Sequence, residues 1–244
     1  MVNLSGQTIL IFGGSSGVGY SVAVGCLKDQ AKLVIVASSN PQRVENAVKK
    51  LVDAKLGPGQ VSGRTVNAKD EEALKALLEE VGQVDHVVWT SGDPLAFTFP
   101  DVTMEVAKSA FEVRFWGPVM VAKYAKFKPN GSLTFTSSST VTKPTKAFTI
   151  PNCAVGAVET LGRSLAIDLA PVRVNSVRLG VIDTELWEWQ GPEVKKYIFD
   201  LITSHAPVGH VGSPEAAAEA YMFLMRCDFI TGQTIPVDGG YTCV

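Results

Sequence analysis

Thr8-Ile9-Leu10-Ile11-Phe12-Gly13-Gly14-Ser15-Ser16-Gly17-Val18-Gly19 runs from an apolar strand into a glycine-rich loop and on into a helical stretch. A short run of apolar and β-branched residues reads as a strand buried on both faces. The glycines at 13, 17 and 19 give the spacing GxxxGxG. Glycine accepts positive φ and lets backbone N–H groups approach a pyrophosphate closely. The helix that follows aims its positive end at those phosphates. Gly13, Ser15, Ser16, Gly17, Val18 and Gly19 are therefore the candidate phosphate-binding residues. A strand, a glycine loop and a helix in this order mark a dinucleotide-binding fold far more specifically than the loop alone.

The rest of the chain repeats the alternation. Apolar runs at 33–36, 85–89, 132–136 and 172–177 read as strands. Between them, residues 42–56, 70–81, 104–127 and 152–169 carry apolar positions at helical spacing, and Asp70 stands as an N-cap. Such alternation predicts the α/β class: a three-layer, doubly wound parallel sheet (a Rossmann fold) of about seven strands, with residues 1–244 forming one domain. The irregular stretch 183–215 holds Trp187, Trp189, Tyr197, Phe199, His205 and His210. Two readings stay open for it, core packing or a substrate lid at the carboxyl ends of the strands; the lid is favoured.

Composition narrows the function. With 46% hydrophobic and 19% charged residues in 244, the chain buries a sizeable core. Its formal net charge of -2 lacks the basic excess of a general nucleic-acid binder. Cys26, Cys153, Cys227 and Cys243 are scattered, which argues against a disulfide framework or a bound metal and for free thiols in a reducing compartment. No signal peptide or membrane span is evident, so a cytoplasmic protein without membrane contact is expected.

The second strand ends near Ala37 and is followed by Ser38-Ser39-Asn40-Pro41-Gln42-Arg43. A site selective for NAD places a carboxylate here to bind the ribose 2′-hydroxyl. None is present. Ser38, Ser39, Asn40 and Arg43 suit a 2′-phosphate instead, and the expected cofactor is NADP(H). Ser39 or Asn40 also reads as an ordinary helix N-cap, and the two readings are compatible.

Arg173-Val174-Asn175-Ser176-Val177, Gly180-Val181-Ile182-Asp183-Thr184, Thr231-Gly232-Gln233 and Val237-Asp238-Gly239-Gly240 follow the glycine loop in order. Together these motifs resemble the short-chain dehydrogenase/reductase family over essentially the whole chain. The resemblance implies that Ile182 and Thr184 flank the nicotinamide carboxamide. It also implies that Ser91 and Gly92 of Trp89-Thr90-Ser91-Gly92 stand where the family has Asn-Asn-Ala-Gly, and Asn67 where an Asp covers the adenine. The family commonly assembles as homotetramers through two long helices, which implies a homo-oligomer here.

The family's chemistry rests on a Ser, then a Tyr 13 positions later, then a Lys four beyond that. The Tyr is the general acid/base, and the Lys lowers its pKa and holds the ribose. By that alignment Pro151 stands for the Tyr and Val155 for the Lys. Ser138 takes the Ser position, with Ser137 and Ser139 as register alternatives. The family's Asn on the preceding helix maps to Arg114. Losing positioned proton transfer costs roughly 10²–10⁴-fold, so an ordinary alcohol/ketone interconversion is not expected. A guanidinium at position 114 adds a fixed positive charge with five donors. Arg114, assisted by Ser138, either stabilises developing negative charge or merely pairs with a carboxylate such as Asp93; the two readings stand even.

Val113-Arg114-Phe115, Lys143-Pro144, the run at 168–175 and Asp183-Thr184-Glu185-Leu186-Trp187 are similar to a fungal subgroup that also lacks Tyr-x-x-x-Lys. It includes reductase/Diels–Alderases of indole alkaloid pathways, which reduce an iminium. Their catalytic Asp maps to Thr145 here. Three functions follow as alternatives: an NADPH-dependent reductase of a bulky, apolar secondary-metabolite intermediate, a redox-neutral cyclase or isomerase on the same scaffold, or a non-catalytic NADP(H)-binding pseudoenzyme.

Overall fold

The computed structural model describes residues 3–93 and 99–244. The glycine-loop unit opens the fold as β1 (Thr8–Phe12) and α1 (Gly17–Lys28). There follow β2 (Leu33–Ser38), α2 (Pro41–Asp53), β3 (Gln60–Thr65), α3 (Glu71–Val81) and β4 (Gln83–Trp89). The second half holds α4 (Met104–Ser109), α5 (Gly117–Tyr124), β5 (Lys126–Ser138), α6 (Thr149–Asp168) and β6 (Arg173–Leu179). It closes with α7 (Pro192–His205), α8 (Pro214–Arg226) and β7 (Thr234–Val237).

The strands form one seven-stranded parallel sheet in the order β3-β2-β1-β4-β5-β6-β7. The doubly wound three-layer fold expected from the alternation is thus the fold observed. Successive side chains on a strand point to opposite faces, and β1 divides accordingly. Ile9 and Ile11 join the core beneath α1 and α8, while Leu10 and Phe12 join the core on the α3, α5 and α6 side. The strand order reverses direction between β1 and β4, and the crevice at their carboxyl ends is where such sheets bind ligands.

Three helix boundaries differ from the sequence reading. The helix expected over 42–56 ends at Asp53, because Lys55 turns left-handed at φ 48. The helix expected over 152–169 starts three residues earlier, at Thr149. The helix expected over 104–127 divides into α4, a π-helical turn over Glu112–Trp116 and α5, and it ends at Tyr124. Pro118 has no N–H to give the carbonyl of Arg114, four residues back, so the ladder is broken there. Trp116 N–H reaches five residues back to the Phe111 carbonyl at 2.9 Å, the hydrogen bond of a π turn. Within 183–215, the stretch read as irregular contains the 14-residue helix α7.

Candidate functional site

The glycine loop is built by close approach. Gly13 has φ +82, and a β-carbon there would stand 2.6 Å from Thr90 Oγ1. A β-carbon on Gly19 would meet the Gly13 carbonyl at 2.3 Å and Thr90 Oγ1 at 2.4 Å. Thr90 is fixed in turn, its N–H and its hydroxyl both donating to the Phe12 carbonyl, at 2.8 and 2.9 Å. The loop, α1 and the end of β4 therefore touch backbone to backbone, with space for nothing larger than glycine.

Ser16 N-caps α1, yet its side chain makes no capping bond, and no acidic residue stands in the first turn. The N–H groups of Gly17, Val18 and Gly19 are left for an outside acceptor, as an anion at a helix N-terminus requires. The cradle fits the pyrophosphate of a dinucleotide. Thr184 approaches from the opposite side, its Cγ2 standing 3.1 Å from where a Gly17 β-carbon would be.

At the end of β2 the N-cap of α2 is Asn40, whose Oδ1 accepts from Arg43 N–H at 2.9 Å. Ser39, Asn40 and the Arg43 side chain are exposed. Among the described residues the Arg43 guanidinium has no hydrogen-bond or ion-pair partner. Asn67 accepts from Lys69 N–H at 3.1 Å in a tight local turn. Lys69 Nζ then bridges two carboxylates, Asp93 at 2.9 Å and Glu112 at 3.1 Å.

Arg114 projects from the π turn towards the end of β4. Its Nη2 donates to the Asp93 carbonyl at 2.6 Å. The expected ion pair with the Asp93 carboxylate is thereby corrected: that group bonds Lys69, and among the described residues Arg114 bonds the neutral main-chain oxygen of Asp93. Arg114 Nε is fully buried and has no hydrogen-bond partner among the described residues. Burial pulls the guanidinium down to about 10, the Asp93 charge opposing, and it remains protonated at neutral pH.

The three serines of the 137–139 register separate by their bonds. Ser137 is buried and donates to Glu159 Oε1 at 2.7 Å. Ser139 is buried at the head of a short 3₁₀ turn. Ser138, half-buried at the end of β5, accepts from Thr140 Oγ1 at 2.9 Å and from Thr140 N–H at 3.3 Å. Its own proton has no acceptor among the described residues. Pro151 is buried in the first turn of α6, where a missing N–H costs nothing because helix-start donors have no intrahelical partner. Val155 is buried one turn on, and its carbonyl accepts from Ser137 Oγ at 3.2 Å. Neither side chain carries a titratable atom.

Ile182 is buried and bridges to Gly212, and the stretch 183–205 folds back over it. Trp187 Nε1 donates to the Ile182 carbonyl at 2.9 Å, and its ring meets Phe199 edge-on at 5.7 Å. Lys195 Nζ pairs with Asp183 at 2.7 Å and lies over the Phe199 ring. Trp187 is thus a packing anchor, whereas Trp189 and Tyr197 are 66% and 67% exposed. Gly17, Tyr20, Thr184, Glu185, Glu188 and Lys195 line a cavity of about 330 Å³ between this cover and the phosphate loop.

Sequence reasoning missed a buried polar cluster behind Ser138. Glu159 is 4% exposed and takes Arg178 through two bonds, Nε–Oε1 at 2.8 Å and Nη2–Oε2 at 2.6 Å. Ser137 and Arg178 are direct cross-strand partners, so both face α6 from adjacent strands. The available signal was a Glu one helical turn after Val155 together with an Arg inside an otherwise apolar strand.

Comparison with known proteins covers the whole chain. A family model described as an SDR-like Rossmann domain matches residues 1–244. A short-chain dehydrogenase/reductase from Stachybotrys chlorohalonatus is 37% identical over 98% of both chains. The solved structure of the MalC reductase/Diels-Alderase from Malbranchea aurantiaca superposes with a TM-score of 0.91 at 30% identity, covering 99% of this chain and 98% of that one. A small-chain dehydrogenase solved in complex with NADPH superposes with a TM-score of 0.79 at 28% identity, covering 98% of this chain and all of the other.

Proposed function

The chain belongs to the short-chain dehydrogenase/reductase family, and from that premise we propose that it is an NADPH-dependent reductase of non-standard mechanism, acting on a bulky, apolar intermediate of secondary metabolism. The observation that carries the reading is an intact phosphate cradle facing a site with no proton-donating pair. Gly13, Gly17 and Gly19 keep the close approach a pyrophosphate needs, while Pro151 and Val155 occupy the Tyr and Lys positions. When bound, the dihydronicotinamide supplies a hydride.

The chain's own residues divide the remaining work. Ser15, Ser16, Gly17, Val18 and Gly19 hold the pyrophosphate through backbone N–H groups and short hydroxyls. Ser38, Ser39, Asn40 and the unpartnered Arg43 take the 2′-phosphate, which sets NADP(H) over NAD(H). Asn67, Ser91 and Gly92 line the adenosine side, and Ile182 and Thr184 hold the carboxamide. Arg114 and Ser138 are the polar groups we assign to the substrate: one a fixed cation, the other a hydroxyl whose proton has no acceptor among the described residues. Trp189 and Tyr197 supply an apolar cover suited to a large substrate.

A redox-neutral reading, in which the bound cofactor is a wall and the substrate cyclises in front of it, draws support from the likeness to a protein described as both reductase and Diels-Alderase. Isotope transfer separates the two. With candidate intermediates and 4-deuterated NADPH, deuterium in the product establishes reduction, and unlabelled product formed without NADPH oxidation establishes the redox-neutral step. A chain that takes neither NADPH nor NADP⁺ below millimolar concentration refutes both.

We further read residues 1–244 as one domain of a cytoplasmic homo-oligomer. Four unpaired cysteines suit a reducing compartment, and exposed Trp116 and Phe229 suit contact between copies. Among the described residues no helix is long and apolar enough to cross a membrane.

A further inference from the structure

The hydrogen bonding and fixed charge of Arg114 restrict what this site reduces. Among the described residues the guanidinium touches one protein acceptor, the Asp93 carbonyl, and that oxygen is neutral. Its Nε is buried without a partner among the described residues, and the hydrogen bonds of the nearby Asp93 and Glu112 carboxylates go to Lys69. The loop after β5 carries no carboxylate: Thr145 stands between Lys146 and Lys143, whose Nζ donates to the Val244 main-chain oxygen at 2.6 Å. A buried cation whose bonded partner among the described residues is a neutral oxygen keeps donors for a ligand oxygen, and its fixed charge disfavours a second cation beside it.

Resting on the reading of the chain as a reductase, we propose that its substrate presents an acceptor that gains negative charge on oxygen, of the α,β-unsaturated ketone or quinone class, and that Arg114 binds that oxygen. In this step a hydride adds to the β-carbon and the C=C electron pair moves through the conjugated system onto oxygen. The resulting enolate rests on Arg114 until water returns a proton to the α-carbon. The net change is one hydride and one proton added, with NADPH oxidised to NADP⁺. No residue must donate a proton while the hydride moves, which accounts for a site built with Pro151 and Val155. A cationic iminium, by contrast, would face the Arg114 charge, with Thr145 standing where the related subgroup has its Asp.

Three probes that share the cinnamyl frame and differ in head-group charge test the inference by calorimetry, with and without NADP⁺: cinnamate, its isostere cinnamamide, and cinnamyltrimethylammonium. Cinnamate is expected to bind at least about tenfold more tightly than the amide, and the ammonium most weakly. Arg114→Met fills the same space without charge and is expected to fold, since apolar replacement of buried charge is often neutral or stabilising. It should erase the order of the three probes, and Arg114→Lys should restore part of it. The inference is overturned if the ammonium probe binds as tightly as cinnamate, if the preference survives Arg114→Met, or if no probe binds. A protein that takes cinnamate through Arg114 yet binds no NADP⁺ keeps the anion site and loses the reductase reading.

Discussion

The Arg114 guanidinium lies so close over Gly92 that a β-carbon built there would stand 2.5 Å from Nη1, 2.6 Å from Cζ and 2.7 Å from Nη2. A single methyl group at position 92 therefore displaces the whole charged group. Gly92→Ala is expected to lower kcat/KM by about ten- to a hundredfold, or ~1.4–2.7 kcal/mol of transition-state stabilisation. Thermal stability should change far less than turnover. Wild-type turnover in a folded Gly92→Ala protein would show that the position of Arg114 does not matter to the reaction.

Glu159 and Arg178 form a buried two-bond ion pair behind the site, and the structure sets its sign. Glu159→Ala leaves Arg178 without its carboxylate and Ser137 with only the longer bond to the Val155 carbonyl, a loss of about 3 kcal/mol for a broken buried pair. Replacing both partners at once, as Glu159→Met with Arg178→Met, should recover most of that loss, because neither charge is left stranded. Urea unfolding of the two single variants and the double variant measures the cycle.

Most of the fold was legible because β1, β2, β4, β5 and β6 are buried on both faces and read as apolar runs. β3 gave no such signal. As an edge strand of sequence QVSGRT it has no fully buried residue, and its pairing with β2 is a matter of backbone hydrogen bonds. The long helix was read through its break at Arg114 because the apolar periodicity continues across it. Pro118 was the available clue, four residues after the carbonyl it leaves free. At the site, the phosphate cradle follows from local spacing and was readable from glycines alone. The partner of Arg114 was not, since a carbonyl and a carboxylate of the same residue, Asp93, look alike in sequence. Ser137, Glu159 and Arg178 meet only once three elements are assembled.

His86 gives the fold an acid-sensitive element. It is 2% exposed, with Nδ1 2.8 Å from Ser132 Oγ and Nε2 2.8 Å from Gln7 Oε1. Burial, aided by Arg173, lowers its pKa to about 4 against the opposing pull of Asp85. In the unfolded chain the imidazole titrates at about 6.5. Between those values the unfolded state holds the extra proton, so its contribution is complete above 6.5 and is lost as the pH falls towards 4. The full span corresponds to ~3 kcal/mol. His86→Gln should flatten this part of the profile, measured as the difference in unfolding free energy between pH 7 and pH 4.5 for each protein.

Cofactor choice rests on residues at the end of β2, and they can be changed without touching the glycine cradle. Arg43 is exposed and unpartnered among the described residues, on the first turn of α2, with Ser38 at the end of the strand. A 2′-phosphate placed there meets the Arg43 charge, and a charge-assisted hydrogen bond of this kind contributes about 1.5–3 kcal/mol. Arg43→Ala should therefore weaken NADPH by about ten- to a hundredfold and leave NADH unchanged, because NADH carries no phosphate for Arg43 to hold. Ser38→Asp adds a carboxylate where it can accept from a free 2′-hydroxyl and repel a 2′-phosphate. The double variant should then bind NADH more tightly than NADPH. Fluorescence titration with both reduced cofactors measures this directly, without a substrate. If Arg43→Ala weakens NADPH and NADH equally, Arg43 acts through the stability of α2 rather than through the phosphate, and the preference for NADPH must lie elsewhere.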